Sequence, residues 1–368
     1  MTRTAEVVVV GGGAMGSATA WQLARRGHDV VLLERFSPGH TNGASHGASR
    51  NFNVSYDRRA YLEMLVEALP LWWDLEAETD AHLLDLVGIV NLGGGSLAGT
   101  RDALHAVGIP GEVLPAAEAR TRWAGIRFES EVLYTPEAGR LNADAAVSAL
   151  QQAASARGAD VRHEVRATRV DVIGDDRVRV TTDGETIEAR RAVVTVGAWT
   201  SKLLGGTVPL PRLVVTQEQP AHFAVTDPGA VWPGFNHWPS GGDEWWPSQI
   251  YGMLTPGHGV KAGWHGVGPV TDPDARTFRS EPRQLELLRR YVREWLPGAN
   301  PDSFTEISCT YTTTPDSDFV LDRVGPIVVG AGFSGHGFKF TPSVGRILAD
   351  LALRGTPAHP DFALARFS

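Results

Sequence analysis

The pattern of apolar and polar positions over the first 34 residues predicts a buried strand, a helix and a second strand. Residues 7–10 are an uninterrupted apolar run, which is typical of a strand covered on both faces in a parallel sheet. A glycine-rich turn follows, and residues 17–26 predict a helix that ends at Gly27, where a left-handed cap residue is expected. Residues 29–34 predict the second strand. The alternation indicates a βαβ unit with a parallel sheet.

The turn between this strand and helix carries a G-x-G-x-x-G pattern at Gly11, Gly13 and Gly16. The first glycine permits a tight turn, the second lets backbone N–H groups approach a pyrophosphate, and the third lets helix and strand pack closely. Glu34, which ends the second strand, is placed to accept from ribose hydroxyls. Arg35 would suit a 2′-phosphate, which the adjacent carboxylate disfavours. The pattern predicts a dinucleotide site but does not separate FAD from NAD.

A long polar segment, residues 37–50, follows the second strand. Its glycine, serine and asparagine residues offer backbone and side-chain donors for an anion, and connections of this length are usually functional or disordered. His46 and Arg50 lie four positions apart, so both would face one ligand if residues 48–50 open a helix. The alternative is a solvated loop with incidental charges.

The rest of the pattern predicts two discontinuous units. Buried strands near residues 191–199 and 326–332 belong with the first βαβ unit, whereas the stretch between them has alternating strands, turns and one helix. The predicted fold is a Rossmann-like α/β domain with an inserted α+β substrate domain built on an antiparallel sheet. The dinucleotide domain would comprise residues 1–85, 140–207 and 309–368, and the substrate domain residues 86–139 and 208–308.

Two potentially reactive side chains lie in the second half of the chain. Alternation along residues 260–265 would put Lys261, Gly263 and His265 on one face of a strand, although a strand lysine is usually a solvated edge charge. Cys309 is the only cysteine, so it cannot form an internal disulfide or a thiolate metal site. It is either a single nucleophile or attachment point, or an inert buried side chain.

The acidic balance of the chain disfavours nucleic acids and anionic membranes as partners. There are 34 Lys and Arg against 42 Asp and Glu, a formal net charge of −8, which would repel a polyanion. No apolar run approaches the roughly 18 residues that span a bilayer, and the first residues lack the shape of a signal peptide. A single cysteine fits a reducing compartment, so the sequence predicts a cytoplasmic protein.

Together these motifs resemble the monomeric sarcosine oxidase and N-methyltryptophan oxidase family, which are FAD-dependent amine oxidases of the D-amino-acid-oxidase-like superfamily. The resemblance covers essentially the whole chain. It implies FAD as the cofactor, a small amine or amino acid and dioxygen as partners, and a monomer. The residues that carry it are Gly11, Gly13 and Gly16 with Glu34, the loop 40–50, the strand 261–265, Cys309, Thr310 and Tyr311 with 314–316, and the segment 332–339.

The resemblance also implies roles at the cofactor. Cys309 would hold FAD covalently as a thioether at the flavin 8-methyl carbon. Lys261 would lie over the flavin and activate dioxygen, where its positive charge stabilises superoxide-like negative charge. His46 and Arg50 would line the flavin site and tune its charge. The predicted cofactor contacts are Gly11, Gly13, Gly16, Glu34, Arg35, Thr41, Ser45, Val165, Cys309, Gly335, Gly337 and Lys339.

The implied substrate site departs from the family at one position. The resemblance puts His265 near the substrate, Tyr251 and Tyr311 in the pocket wall, and Lys339 at the substrate carboxylate. Sarcosine oxidases have a second arginine three residues after the one that matches Arg50, and here that position is Asn53. Loss of a charged partner would weaken carboxylate binding by about 1.5–3 kcal/mol, so sarcosine, which offers little else to bind, is not the expected substrate.

The sequence therefore predicts an FAD-dependent oxidase that converts a secondary amine or amino acid, of the N-methyl or cyclic imino acid type, to the imine and reduces O2 to H2O2. One alternative is a flavin dehydrogenase or a multi-electron imino-acid oxidase of secondary metabolism. Another is a dinucleotide-binding protein without turnover. Four tryptophans between residues 232 and 246 would suit a larger aromatic or cyclic amine, although packing explains most such clusters.

Overall fold

The computed structural model describes residues 2–240 and 244–368. Its α-helices are α1 (Ala14–Ala24), α2 (Arg59–Thr79), α3 (Leu97–His105), α4 (Ala116–Arg122), α5 (Ala143–Ala156), α6 (Thr200–Leu204), α7 (Pro282–Trp295) and α8 (Thr341–Arg354). Its strands are β1 (Thr2–Val10), β2 (Val30–Leu33), β3 (Arg50–Phe52), β4 (Leu84–Asp85), β5 (Ile89–Leu92), β6 (Glu112–Leu114), β7 (Val132–Thr135), β8 (Gly139–Leu141), β9 (Asp160–Arg162), β10 (Ala167–Gly174), β11 (Arg177–Thr182), β12 (Thr186–Val194), β13 (Val214–Glu218), β14 (Ala221–Val225), β15 (Gly234–His237), β16 (Ile250–Thr255), β17 (Gly259–Trp264), β18 (Ala299–Glu306), β19 (Cys309–Thr313), β20 (Val320–Val324) and β21 (Ile327–Ala331).

The first sheet has a parallel centre because its strands are covered on both faces. Its main order is β10-β11-β12-β1-β2-β9, with β21 parallel to the end of β12 and β20 antiparallel to β21. All of β2 and the last four residues of β1 are buried. Helix α1 is buried along its whole length between the sheet and helices α5 and α8. This arrangement confirms the predicted Rossmann-like domain.

The second sheet is mostly antiparallel and carries the other core. Its order is β18-β14-β17-β16-β15-β5-β7-β6, and only the β15–β5 pair in this order is parallel. Helix α7 packs on it through Leu288, Tyr291 and Val292, beside three of the clustered tryptophans: Trp232, Trp245 and Trp246. The aromatic segment therefore serves mainly to fill this core. Part of that segment, residues 241–243, lies outside the described residues.

Two smaller sheets connect the large ones. Strand β19 pairs with β13, so Cys309 lies opposite Glu218 at the start of β19. Strands β3 and β4 both pair with β8. The pairing of β3 corrects one prediction: residues 48–50 do not open a helix, because Arg50 is held in an extended strand by its pairing with Leu141. No helix among residues 2–240 and 244–368 has the length and apolar character needed to cross a bilayer.

Candidate active site

The glycine-rich turn forms a tight cradle at the end of β1. Gly11 has φ +103°, a value that favours glycine. Gly16 faces the turn so closely that a Cβ there would lie 1.9 Å from the Gly11 carbonyl oxygen. The first turn of α1 has no acidic residue, and its Ala14 N–H donates to Ser45 Oγ at 3.0 Å. The helix N-terminus is therefore free of competing carboxylates and suits a phosphate.

A Gly16→Ala substitution should destabilise the protein and weaken cofactor binding. The added methyl group must push α1 away from the turn, and overpacking of this kind costs about 1–3 kcal/mol. Urea unfolding and the cofactor content of the purified protein would measure both effects. Gly206→Ala is the matched control, because a Cβ at Gly206 meets no atom within 4 Å. Equal behaviour of the two variants would contradict the close packing described here.

Glu34 is a buried acceptor at the end of β2. Its carboxylate accepts hydrogen bonds from the Gly12 N–H at 2.8 Å and the Phe36 N–H at 2.9 Å. Burial raises the pKa of Glu34, but the interactions with His40 and the two backbone N–H groups outweigh this effect, so the pKa lies below its usual value. The side chain is therefore ionised at neutral pH and can also accept from ribose hydroxyls.

A cavity of about 610 Å³ extends from this cradle toward the second sheet. Arg35 borders it while pairing with Asp274 at 2.7 Å. Near its other end, the Gly335 backbone lies against the Tyr311 ring, where a Cβ would come within 2.1 Å of a ring carbon. The predicted residues that line this cavity are Gly11, Gly13, Glu34, Arg35, Ser45, Arg50, Val165, Cys309, Tyr311, Gly335 and Gly337.

Three predicted residues lie apart from the cavity walls. Gly16 acts behind the turn by its packing against Gly11. Thr41 is exposed, and neither described cavity is bordered by it. His46 is buried away from both cavities, and burial together with the charges of Arg50 and Lys261 lowers its pKa to about 3. His46 is therefore neutral at physiological pH, and any influence it has on the flavin site does not come from a charge.

A second cavity of about 300 Å³ adjoins the first. The residues that border both are Arg50, Cys309, Tyr311, Gly335 and Phe338. The second cavity also brings together the predicted catalytic and substrate-binding residues from distant parts of the chain, namely Asn53, Tyr251, Lys261, His265 and Lys339. The shared wall is therefore the place where a substrate would meet the cofactor.

Lys261 extends from β17 into the second cavity and is almost fully buried, with 3% of its surface exposed. Its Nζ donates to the Ser49 carbonyl oxygen at 3.0 Å, and the Ser49 hydroxyl lies 2.6 Å from that of Thr255. Burial and the charge of Arg50 lower the pKa of Lys261 well below its usual value. Because no carboxylate forms an ion pair with it in the described part of the chain, this amine would gain from a nearby anion.

Lys339 lies in the 3-10 turn Phe338–Phe340, just before α8, and is 5% exposed. Its Nζ donates to the Tyr56 hydroxyl at 2.9 Å and to the His336 carbonyl oxygen at 2.7 Å, which leaves one N–H bond for a ligand. Burial lowers the pKa of Lys339 to about 7. This site can therefore change charge near neutral pH and would be stabilised in its charged form by a carboxylate.

The other predicted substrate residues form a neutral aromatic wall. The Tyr311 hydroxyl lies 3.3 Å from His265 Nδ1, and burial lowers the pKa of His265 to about 4. Burial also raises the pKa values of Tyr251 and Tyr311, so both phenols stay protonated at neutral pH. Asn53 accepts from the Ser55 N–H at 3.1 Å through its side-chain oxygen. None of these side chains carries a negative charge into the cavity.

Cys309 is held at the shared wall by the polar loop. Its Sγ lies 3.8 Å from an Arg50 guanidinium nitrogen and 3.9 Å from the Ala44 carbonyl oxygen. Arg276 links the polar segment 37–50 to the residue before Cys309, because it donates to the Asn42 carbonyl oxygen at 2.6 Å and to Ser308 Oγ at 2.8 Å. The thiol is therefore partly exposed and lies close to the Arg50 guanidinium group.

Several residues of the second cavity were not predicted from the sequence. Tyr56, which supports Lys339, is one of them. Trp238 differs, because it belongs to the tryptophan cluster that the sequence offered for the substrate, and among the described residues it is the one member of that cluster that borders this cavity. No glycine or charge pattern marks Tyr56, and the folded chain brings it to Lys339 from a distant part of the sequence. The further cavity residues are Asn51, Ser55, Pro220, Asn236, Gln249, Met253, Ile307 and His336.

The residues of the larger cavity fit a flavin dinucleotide. The cradle offers phosphate-binding N–H groups, Glu34 offers a ribose acceptor, and the cavity continues to the wall shared with the second cavity. The fold and the paired cavities thus define a dinucleotide-dependent oxidoreductase with a second cavity beside the one that fits its cofactor.

Comparisons with known proteins agree with this class. The chain matches the FAD dependent oxidoreductase family over residues 6–351. It is 33% identical to the monomeric sarcosine oxidase of Bacillus sp. (strain NS-129), across 96% of this chain and 94% of that protein. It is 28% identical to the N-methyl-L-tryptophan oxidase of Yersinia pestis (strain Pestoides F), across 98% and 99%. The solved structure of NikD, an unusual amino acid oxidase essential for nikkomycin biosynthesis, matches with a TM-score of 0.85 and 30% identity, covering 98% of each chain.

The chain therefore belongs to the FAD-dependent oxidoreductase family, in the group of the monomeric sarcosine oxidases. FAD is its cofactor, and the resemblance inferred from the motifs is confirmed. The boundaries of the two domains and the roles of single residues stay predictions.

Proposed function

We propose that the protein oxidises a secondary amine that carries a carboxylate, of the N-methyl or cyclic amino acid type, to the imine, and that dioxygen is reduced to H2O2. The observation that carries this proposal is the composition of the second cavity. It contains Arg50, Lys261 and Lys339, and no aspartate or glutamate borders it within the described ranges. The relatives named as sarcosine oxidase and N-methyl-L-tryptophan oxidase support the same reaction type.

The charges of this cavity select the form of the substrate. An ammonium group would meet three basic side chains without a counter-ion, which is unfavourable in a buried site. A neutral amine avoids this repulsion, and its free electron pair is needed for loss of hydride from the adjacent carbon. For the carboxylate, the charged form is favoured, because a negative charge beside Lys339 stabilises the protonated form of that lysine. The site therefore favours the anionic form of an amino acid, with its amine neutral.

When bound, FAD supplies the hydride acceptor and returns the two electrons to dioxygen. Lys339 would hold the carboxylate through its remaining N–H bond, and the aromatic side chains would exclude water from the reacting carbon. We propose that the buried amine of Lys261, which borders the same cavity, stabilises negative charge on dioxygen. We propose that Cys309 holds FAD through a thioether at the flavin 8-methyl carbon, supported by its position on the wall that both cavities share. Forming this bond would replace the thiol S–H bond and one methyl C–H bond by an S–C bond, and the two electrons and two protons released would pass to dioxygen to give H2O2.

An aerobic assay separates this reaction from its alternatives. The holoenzyme would be incubated with N-methyl amino acids, cyclic imino acids and primary amines, and the substrate consumed, O2 consumed and H2O2 formed would be measured. A simple oxidase gives one H2O2 for each substrate oxidised. A multi-electron imino-acid oxidase of secondary metabolism gives more than one, and the likeness to an amino acid oxidase that is essential for nikkomycin biosynthesis supports keeping it as the second candidate. Turnover that requires an artificial acceptor would indicate a dehydrogenase, and no turnover with any compound would indicate a protein that only binds the dinucleotide.

The affinity for a carboxylate should fall as the pH rises above about 7. Burial lowers the pKa of Lys339 to about 7, so the ammonium form is present below this pH and is lost above it. A ligand that needs this charge must then bring a proton with it, and its Kd should rise by up to about tenfold for each further pH unit. His265 and His336, whose pKa values burial lowers to about 4 and about 3, stay neutral over this range.

Cyclopentanecarboxylate suits this measurement because it has the ring and the carboxylate but no amine to oxidise. Its Kd would be taken from the change it causes in the visible spectrum of the bound FAD, between about pH 6 and about pH 9, where the ligand itself stays ionised. Lys339→Met should weaken binding at low pH and remove the pH dependence. A Kd for the unmodified protein that does not change with pH would contradict the assignment of Lys339.

A further inference from the structure

A chain of side-chain amides runs along one wall of the second cavity. Asn51 Nδ2 donates to Asn236 Oδ1 at 2.9 Å, and Asn236 Nδ2 donates to Asn91 Oδ1 at 2.8 Å. Asn91 Nδ2 then donates to Ser55 Oγ at 2.9 Å. The links are made across the parallel pair of β5 and β15, in which Asn91 lies opposite Asn236. Three carboxamides in a row on the inner side of a sheet are unusual in a core that is otherwise apolar.

The direction of these amide hydrogen bonds determines which group faces the cavity as a donor. Each of the amides of Asn236 and Asn91 accepts through its oxygen and donates through its nitrogen, so the hydrogen bonds point one way, toward Ser55. A serine hydroxyl that accepts from an amide keeps its own hydrogen for another partner. Ser55 borders the second cavity, whereas Asn91 does not border it and is only 3% exposed. The chain therefore ends in a hydroxyl that can donate into the cavity.

Two further donors, Asn53 and Lys339, border the same cavity as Ser55. Asn53 accepts from the Ser55 N–H through Oδ1, and its Nδ2 has no hydrogen-bond partner in the part of the chain that the structure describes. Tyr56, the residue after Ser55, accepts from Lys339, which keeps one N–H bond free. Asn53 and Ser55 thus add an amide and a hydroxyl to the lining of the cavity that Lys339 also borders, and Tyr56 joins this segment to Lys339.

We propose that Ser55 and Asn53 complete the carboxylate subsite with Lys339, and that Asn91 is a positioning residue that holds the Ser55 hydroxyl in its donating orientation. Neutral donors here take the place of a second basic side chain. They add directional hydrogen bonds to the carboxylate without another buried positive charge beside Arg50, Lys261 and Lys339. This inference rests on the proposed function, because it concerns the substrate carboxylate of that reaction.

The subsite is tested on the FAD-loaded protein with two ligands that cannot be oxidised at an amine. Cyclopentanecarboxylate carries the anionic group, and cyclopentylmethanol has the same ring without it. The Kd of each would be measured from the spectral change of the bound FAD. Ser55→Ala and Asn53→Ala should each raise the Kd of the carboxylate by about tenfold, as expected for a lost hydrogen bond to a charged group. The Kd of the alcohol should change by less than about threefold, because it makes no charge-assisted bond.

Conservative and matched variants separate a direct role from a structural one. Ser55→Thr keeps the hydroxyl and should preserve most of the carboxylate affinity, whereas Ser130→Ala removes an exposed hydroxyl elsewhere and should change neither Kd. Asn91→Leu should weaken carboxylate binding by about threefold in the native background and by nothing further in the Ser55→Ala background, because Asn91 acts only through Ser55. If Asn91→Leu does not retain FAD, the comparison of Ser55→Ala with Ser55→Thr still shows whether the hydroxyl of residue 55 binds the carboxylate.

Unchanged carboxylate affinity in Ser55→Ala and Asn53→Ala would overturn the proposal, as would an equal loss for both ligands. These results do not depend on turnover. If no amine reduces the cofactor but the carboxylate still binds through Ser55, the proposed reaction fails and the subsite stands. If amines are oxidised but the variants have no effect on carboxylate binding, the reaction stands and the subsite fails.

Discussion

Replacing Lys261 by methionine should slow the oxygen-dependent reoxidation of the reduced cofactor by about two to three orders of magnitude, the range measured when a preorganised charge-stabilising donor is removed from an active site. Reduction by the amine under anaerobic conditions should change by less than about threefold, because Lys261 has no proposed contact with the carboxylate. The reason is electrostatic. Lys261 is a nearly fully buried amine without a carboxylate partner among the described residues. Its interaction with negative charge that develops on dioxygen would therefore be strong.

Stopped-flow measurements of the two half-reactions would test this expectation. The Arg190→Met variant is the control for loss of a basic side chain, because Arg190 is exposed, pairs with Asp176 at the surface and borders neither cavity. It should behave like the unmodified protein in both half-reactions. Burial also predicts a pH effect with a defined sign: the charged form of Lys261 exists below its lowered pKa, so reoxidation should slow as the pH rises through it. Equal slowing of reduction and reoxidation in Lys261→Met would contradict a role toward dioxygen.

Replacing Cys309 by serine should abolish covalent retention of FAD while leaving reversible binding. Serine fills nearly the same volume, so the cavity and the cradle around Gly11 keep their shape. Its hydroxyl is a far weaker nucleophile than a thiolate, because its pKa is much higher and no general base is positioned on it. Since Cys309 is the only cysteine, no other thiol can replace it.

Acid precipitation gives the readout for this second variant. In the unmodified protein the yellow colour should stay with the precipitated chain, and the intact mass should include the flavin. In Cys309→Ser the colour should move entirely to the supernatant, and the mass should be that of the chain alone. Colour that stays with the Cys309→Ser pellet would show that another side chain holds the cofactor. Colour lost from the unmodified protein would show that FAD binds without a covalent bond.

The dinucleotide cradle was predictable because its parts are adjacent in the sequence. Gly11, Gly13, Gly16 and Glu34 lie within one βαβ unit, and each position has a local physical reason. The alternation that placed Lys261 and His265 on one face of a strand also agrees with the structure, since both border the second cavity. Local periodicity is enough when the ligand is contacted by one strand or one turn.

The conformation of the polar segment 37–50 could not be predicted from residue spacing alone. The spacing of His46 and Arg50 suggested a helix that presents both to one ligand. In the structure, Arg50 belongs to a strand that pairs with Leu141, about ninety positions along the chain, and His46 lies behind the cavity walls. A partner so distant in sequence leaves no signal in the spacing of the two residues themselves.

The substrate side of the second cavity was missed for the same reason. Asn91 and Asn236 are polar residues inside short strands, and by themselves they suggest solvated positions. Only the pairing of β5 with β15 aligns them, and only the turn after β3 brings Ser55 into line with them. For the tryptophans, the composition pointed to the substrate pocket more strongly than the structure does. Trp232 and Trp246 fill a core. Among the tryptophans of this segment that the structure describes, Trp238 alone borders the cavity.

The central claim, oxidation of a neutral secondary amine that is held by its carboxylate, is tested most directly by anaerobic titration of the FAD-loaded protein with matched pairs: proline and pyrrolidine, pipecolate and piperidine, sarcosine and dimethylamine. Loss of the visible absorbance of oxidised FAD would be followed for each compound. We expect at least one carboxylate-bearing amine to reduce the cofactor, at a concentration roughly tenfold or more below that needed for its decarboxylated counterpart. Equal reduction by both members of every pair, or reduction by none of them, would contradict the proposed function.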